Sequence, residues 1–159
     1  MITSEEVELM SFYGLLVFIH IFSAILGMGP GLVMTVIVKK ASNMTELRHA
    51  FVIRNQLHIY TMIGGTLLLV TGVWMGFLNT YLFTQGWYWL SLSLFLTALA
   101  FGPFVLSPKS KPIKDILKTH KGETIPESYY RLAGKLFFFE HITNIIFLII
   151  IALMILKPF

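Results

Sequence analysis

The sequence predicts an all-α protein, a four-helix transmembrane bundle with the N-terminus and C-terminus both outside, and three observations support this fold class. First, 56% of the 159 residues are hydrophobic and 13% are charged, whereas about a quarter of the residues of a typical soluble domain are charged. Second, the chain from Arg54 to Lys109 contains no charged residue between those two, which leaves room for two spanning helices of about 20 residues each. Third, the positive residues concentrate in two short segments, as membrane topology requires.

One transmembrane domain is expected over residues 1–159, with helices at about 11–38, 55–78, 87–106 and 132–156. The third helix is expected to stop at Ser107-Pro108, because proline cannot continue the helical hydrogen-bond ladder. By the positive-inside rule, the segments 39–54 and 107–131 are predicted to be basic cytoplasmic loops. The expected location is therefore a cytoplasmic membrane, crossed several times.

Composition also excludes several classes of protein. The chain has no cysteine, which excludes disulfides, thiolate metal sites and iron–sulfur clusters. Its net charge of +4 does not indicate a nucleic-acid partner, since the cations lie in the predicted loops. The N-terminal segment is acidic and lacks the positive region of a signal peptide, so the first apolar segment is expected to be a retained helix.

Three histidines fall inside the apolar segments, where an ionisable side chain is costly and is by default a functional candidate. His20 lies near the middle of the first predicted helix, and His58 and His141 lie near the cytoplasmic ends of the second and fourth. At about 1.5 Å per residue, the depths of His58 and His141 differ by roughly one helical turn, so both could reach one flat macrocycle. We therefore predict haem b, with His58 and His141 as axial ligands, or alternatively His20 and His141.

Neighbouring residues fit the same hypothesis. Arg54, one turn from His58, could pair with a haem carboxylate, and Asn144 could orient an imidazole. Gly27 and Gly65 belong to small-residue stripes that would admit a broad, flat ligand, although such stripes also serve close helix packing in membranes. Glu140 marks either the membrane edge or, if buried, a proton relay.

The functional prediction is an integral membrane haem b-binding protein in electron transfer or in haem and respiratory-complex handling. The lipid bilayer is its expected partner, and a respiratory complex, a quinone or a second copy of the chain are candidates. A zinc site is less favoured, because three or four ligands must converge at about 2 Å and the depths of His20 and His58 differ. The alternatives are a non-catalytic membrane subunit or assembly factor without cofactor and, ranked last in the absence of inverted repeats, a small transporter or channel.

The first apolar segment contains the sequence HIFSAILGMGPG from His20 to Gly31, and the chain ends with ALMILKPF from Ala152 to Phe159. These motifs resemble small bacterial four-helix integral membrane proteins of unknown function, related to the protoporphyrinogen-oxidase-type (HemJ-like) membrane haem proteins and to CopD-like copper proteins. The resemblance implies that His20 is a functional position. The oxidase-type proteins carry a lysine deep in the third helix, and this third helix has none, which argues against protoporphyrinogen oxidation.

Overall fold

The computed structural model describes residues 4–159, and it describes the side chains of residue 8 and of residues 10–159. Within this part the chain forms five α-helices and no β-strand: α1 (Ser4–Lys39), α2 (Met44–Leu78), α3 (Gly86–Phe101), α4 (Ser107–Thr119) and α5 (Glu127–Leu156). Four helical stretches in it are long and apolar enough to cross a membrane: Met10–Lys39, Met44–Leu78, Gly86–Thr119 and Glu127–Leu156. The predicted all-α fold with four spanning helices is confirmed.

Contacts between connecting segments define the two ends of the bundle. At one end, the backbone N–H of Met44 donates to the Glu123 carbonyl at 2.9 Å, and Arg48 Nε donates to the Leu117 carbonyl at 3.0 Å. At the other, the Trp87 N–H donates to the Phe159 carbonyl at 3.1 Å. Both basic segments therefore lie at one end, called the basic end below, and the C-terminus lies at the opposite end. Which end faces the cytoplasm stays a prediction of the positive-inside rule.

The second helix begins at Met44, eleven positions earlier than the expected 55, so most of the expected loop 39–54 is helical. The cause is an N-terminal cap. Asn43 Oδ1 accepts a hydrogen bond from the Glu46 N–H at 2.9 Å, and Glu46 Oε2 accepts one from the Ser42 N–H at 2.8 Å. The first bond satisfies a backbone donor that a helix start leaves unpaired, and the second ties the residue before the cap to the first turn, so α2 begins well before residue 55.

The third helix does not stop at Ser107-Pro108. Its α-helical part ends at Phe101, a π-helical segment follows over Gly102–Leu106, and α4 then continues to Thr119. Proline is tolerated in the first turn of a helix, where its missing N–H needs no partner, and Pro108 stands there in α4. Most of the expected loop 107–131 is therefore helical, since α5 also begins early, at Glu127, and α4 buries Ile113 and Leu117 against the bundle.

Two clusters of buried apolar side chains form the core. The larger lies at the basic end and joins the α1–α2 corner to α4 and α5, with Val38, Met44, Leu47, Ala50, Phe51, Ile113, Leu117, Ile125, Tyr129, Ala133, Leu136 and Phe137. The smaller one, farther from the basic end, contains only Met28, Leu68, Phe95 and Ile150 as buried members. Partly buried apolar side chains of α1, α2, α3 and α5 pack around the smaller cluster. The outer surface is strongly apolar, with Phe104 79% and Ile155 73% exposed, as contact with lipid requires.

Candidate functional site in a lateral cleft

His20 on α1 is held by a hydrogen bond to α2. Its Nδ1 lies 2.8 Å from Thr71 Oγ1, and the Thr71 hydroxyl donates to the Leu67 carbonyl at 2.7 Å. In the tautomer with the ring proton on Nδ1, His20 donates to Thr71 Oγ1, whose own proton is used in the bond to Leu67. The other ring nitrogen, Nε2, therefore keeps its lone pair.

His20 lines a cleft of about 520 Å³ that is enclosed by α1, α2, α3 and α5. Most of the lining is apolar and includes Met28, Leu68, Phe95 and Phe147. The cleft opens between α1 and α5, because its lining includes Ile25 and Ile155, which are exposed on the bundle surface. A ligand dissolved in the bilayer could therefore enter sideways, without passing through water.

Three polar side chains besides His20 line the cleft. The Tyr88 hydroxyl donates to the Gly72 carbonyl at 3.2 Å, and Asn144 Nδ2 donates to the Gly31 carbonyl at 3.1 Å. Ser91 Oγ is fully buried and has no hydrogen-bond partner in the part of the chain that the structure describes. A buried hydroxyl without a partner is costly, and Ser91 is the polar side chain of this lining for which the described residues supply no hydrogen bond.

The other two predicted histidine ligands lie elsewhere. His58 and His141 are both exposed, and neither lines the cleft that contains His20. No group of three or more side chains that could hold a metal ion occurs in the part of the chain that the structure describes. The axial pairs His58–His141 and His20–His141 stay predictions, and of the three histidines the structure places only His20 in the cleft.

Arg54 and Glu140 form a buried ion pair that connects α2 to α5. Arg54 Nη2 donates to Glu140 Oε1, and Thr35 on α1 donates to Glu140 Oε2 at 2.8 Å. All three side chains are buried. Arg54, predicted to pair with a haem carboxylate, thus has a carboxylate partner within the chain. Glu140, for which the sequence left two roles open, lies inside the bundle as that partner.

The two predicted cavity glycines lie at helix contacts. A Cβ added to Gly27 would lie 2.9 Å from the Gly65 nitrogen and 3.0 Å from the Gly64 carbonyl carbon, so α1 and α2 touch through their backbones there. Gly65 also faces Leu99 and Phe95 of α3. Neither Gly27 nor Gly65 lines the cleft. Asn144 does line it, and its Nδ2 donates to the Gly31 carbonyl of α1, while its role in orienting an imidazole stays a prediction.

Sequence reasoning did not identify Thr71, Tyr88 and Ser91 as site residues. Hydroxyl-bearing residues are common in membrane helices, where many bond to their own backbone, as Thr66 and Thr97 do. The only sequence signal for Thr71 is positional. Thr71 follows Gly64 by seven residues, and His20 precedes Gly27 by seven. These equal spacings indicate a contact between His20 and Thr71 only when it is known that α1 and α2 cross at Gly27 and Gly64.

Comparison with known families gives one match. Residues 14–158 match the model of a family described as "Predicted integral membrane protein (DUF2269)". No curated protein and no solved structure matches the chain. These comparisons do not connect it to the HemJ-like or CopD-like proteins. The match covers nearly the whole chain, including most of the first stretch, the other three in full and every side chain of the cleft, so the chain belongs to the DUF2269 family of predicted integral membrane proteins.

Proposed function

We propose that this protein binds haem b in the lateral cleft, with His20 as an axial ligand, and that it acts in electron transfer or in haem and respiratory-complex handling in the bacterial cytoplasmic membrane. The observation that carries the proposal is the hydrogen bond of 2.8 Å between His20 Nδ1 and Thr71 Oγ1. Histidines that ligate a metal through one ring nitrogen almost always donate the other N–H to a second group, which fixes the tautomer and the orientation of the ring.

The surroundings of His20 suit an iron porphyrin in two further respects. The lining of the cleft is almost entirely apolar, with three aromatic rings from Tyr88, Phe95 and Phe147, as the bulk of a macrocycle requires. Gly72 leaves room for the imidazole, since a Cβ there would lie 3.1 Å from His20 Cε1. When bound, haem supplies one-electron transfer, and the protein supplies the ligand nitrogen, its orientation by Thr71 and exclusion of water.

Loss of haem on substitution of His20 is the first prediction. Protein purified in detergent and supplemented with haem should show Soret and α-bands in a reduced-minus-oxidised spectrum. His20→Gln should abolish them, because the ligand nitrogen is removed. Thr71→Val should weaken haem binding by about 10- to 100-fold, which is typical when the group that orients a metal ligand is lost.

His58→Gln and His141→Gln are the matched controls, since both residues are exposed and lie outside the cleft. Each variant should keep the spectrum of the unmodified protein. A wild-type protein without these bands after haem supplementation would refute haem binding. Bands that persist in His20→Gln but disappear in His58→Gln or His141→Gln would instead favour the pair predicted from the sequence.

A second candidate, a quinone, is favoured by the charge of the cleft. None of its lining residues is charged, so the carboxylates of a haem would find no ion-pair partner there, whereas a quinone is neutral. The Ser91 hydroxyl is a donor without a partner in the described chain, which suits a quinone carbonyl. His20 Nε2 is an acceptor, which suits the hydroxyl of the reduced form.

The second prediction concerns Ser91. Ser91→Ala should weaken binding of a short-tailed quinone, measured by equilibrium titration in detergent, by about five- to tenfold, since one hydrogen bond contributes about 1 kcal/mol. Ser93→Ala is the control, because Ser93 lies on the same helix but is exposed. Equal affinity of the two variants would exclude Ser91 as a quinone contact, and absence of binding by the wild type would exclude this candidate.

A further inference from the structure

A second cavity, of about 440 Å³, lies at the basic end and is separate from the cleft. It lies between the start of α4 and the first half of α5, and its lining combines cations, aromatic rings and a glycine: Lys109, Tyr130, Arg131, Gly134, Lys135, Phe138 and Phe139. No carboxylate is among these residues. The cavity thus has a positive wall and an aromatic wall.

The three cations of this cavity come from two helices. Arg131 and Lys135 are four residues apart on α5 and therefore share one face of that helix. Lys109 belongs to α4, and its Nζ lies 4.6 Å from the ring centre of Phe139. Among the described side chains, those of residue 8 and of residues 10–159, the ion pair Arg54–Glu140 is the only one formed, so none of the three cations is paired with a described carboxylate.

The floor and the rim of the cavity have different chemistry. At Gly134 an added Cβ would meet no atom within 4 Å, so the surface between the cations is open. Phe138, one turn beyond Gly134, is 61% exposed, and Tyr130 is 60% exposed. Along α5 itself, from Arg131 to Phe138, the lining changes from charged to apolar over about two helical turns, which are about 11 Å, and Lys109 of α4 lies beside Phe139 next to the apolar part.

We propose that this cavity binds the headgroup of an anionic phospholipid. Its phosphate is held by Arg131, Lys135 and Lys109, and its acyl chains lie along Phe138. Arginine can donate two parallel hydrogen bonds to a phosphate, and basic cavities between transmembrane helices are typical sites for anionic lipid headgroups. The change along α5 from cations to an exposed phenylalanine fits a ligand with a charged head and an apolar tail. A free phosphate would contact the cations but not Phe138.

The experiment compares dioleoylphosphatidylglycerol, dioleoylphosphatidylcholine and inorganic phosphate as ligands of the full chain, by native mass spectrometry from detergent. Phosphatidylglycerol should bind more tightly than the other two. The double variant Arg131→Gln/Lys135→Gln should weaken it by roughly 30-fold, since each cation near an anionic headgroup contributes about 1 kcal/mol. Phe138→Ala should weaken phosphatidylglycerol binding without changing phosphate binding.

The control is the double variant Lys40→Gln/Lys121→Gln. It removes the same charge from the same end of the bundle, and both lysines are exposed and lie outside the cavity. It should bind phosphatidylglycerol within about twofold of the wild type. An equal loss of phosphatidylglycerol affinity in the two double variants would show diffuse attraction to the basic end and would overturn the proposed site. Equal affinity of the wild type for phosphatidylglycerol and phosphatidylcholine would also overturn it. Phosphate binding as tight as lipid binding would identify a site for free anions instead. Circular dichroism would establish that each variant keeps its helices.

Discussion

Replacing Arg54 with methionine should lower the free energy of unfolding by about 3–5 kcal/mol, the usual cost of removing one partner of a buried ion pair. The reason is the partner that remains. Glu140 is 9% exposed, and without Arg54 its carboxylate would keep only the hydrogen bond from Thr35 Oγ1 at 2.8 Å. A buried carboxylate in that position must either remain charged at high cost or take up a proton.

The measurement is reversible unfolding in mixed micelles without anionic lipid, followed by tryptophan fluorescence. Arg131→Met is the control, because it makes the same change at an exposed position of α5 and should cost less than about 0.5 kcal/mol. The double variant Arg54→Met/Glu140→Leu should recover most of the lost stability, since apolar replacement of a whole buried pair is often neutral. Additive losses in the double variant would contradict this interpretation of the pair.

The parts of the fold that were predicted correctly are those that depend on local composition. Lipid contact requires about 20 apolar residues in each span, so the gap without charges between Arg54 and Lys109 could be divided into two helices directly. Helix ends were predicted less well because hydropathy indicates where lipid begins, and a helix can continue into water when its ends are capped. Asn43 and Glu46 provide such a cap, and Pro108 fits within a first turn.

The candidate site was predicted only partly, because sequence gives the depth of a residue along a helix but not which neighbour it faces. Arg54 and His58 are four residues apart and differ by roughly 40° around the helix axis. That rotation is enough to bury Arg54 against Glu140 while His58 remains exposed. His20 was placed correctly near mid-helix, yet its partner Thr71 lies 51 positions away in the chain and depends on how α1 and α2 cross.

The crossing of α1 and α2 leads to the second large prediction. Gly64→Val should separate the two helices, because even a Cβ at Gly64 would lie 2.7 Å from the Gly27 Cα and 2.8 Å from the Leu26 carbonyl carbon. These are backbone atoms of a packed helix and cannot rotate aside. Overpacking of this kind costs about 1–3 kcal/mol or more, and the loss should appear in the same micelle unfolding assay.

Gly14→Val is the matched control for this substitution. Gly14 also lies within a membrane-spanning helix, but an added Cβ there would meet no atom within 4 Å. Its stability should stay within about 0.5 kcal/mol of the wild type. Equal destabilisation at both positions would mean that valine acts through the local helix backbone and not through the contact between α1 and α2.

The same substitution should also affect the cleft, although Gly64 does not line it. His20 lies seven residues, about 10 Å, from Gly27 along α1, and Thr71 lies at the same spacing from Gly64 along α2. Separating the helices at Gly64 therefore lengthens the His20–Thr71 hydrogen bond, which is 2.8 Å in the intact bundle. If haem binds through His20, Gly64→Val should weaken haem binding as Thr71→Val does. A Gly64→Val protein with wild-type haem affinity would show that Thr71 does not position the His20 imidazole.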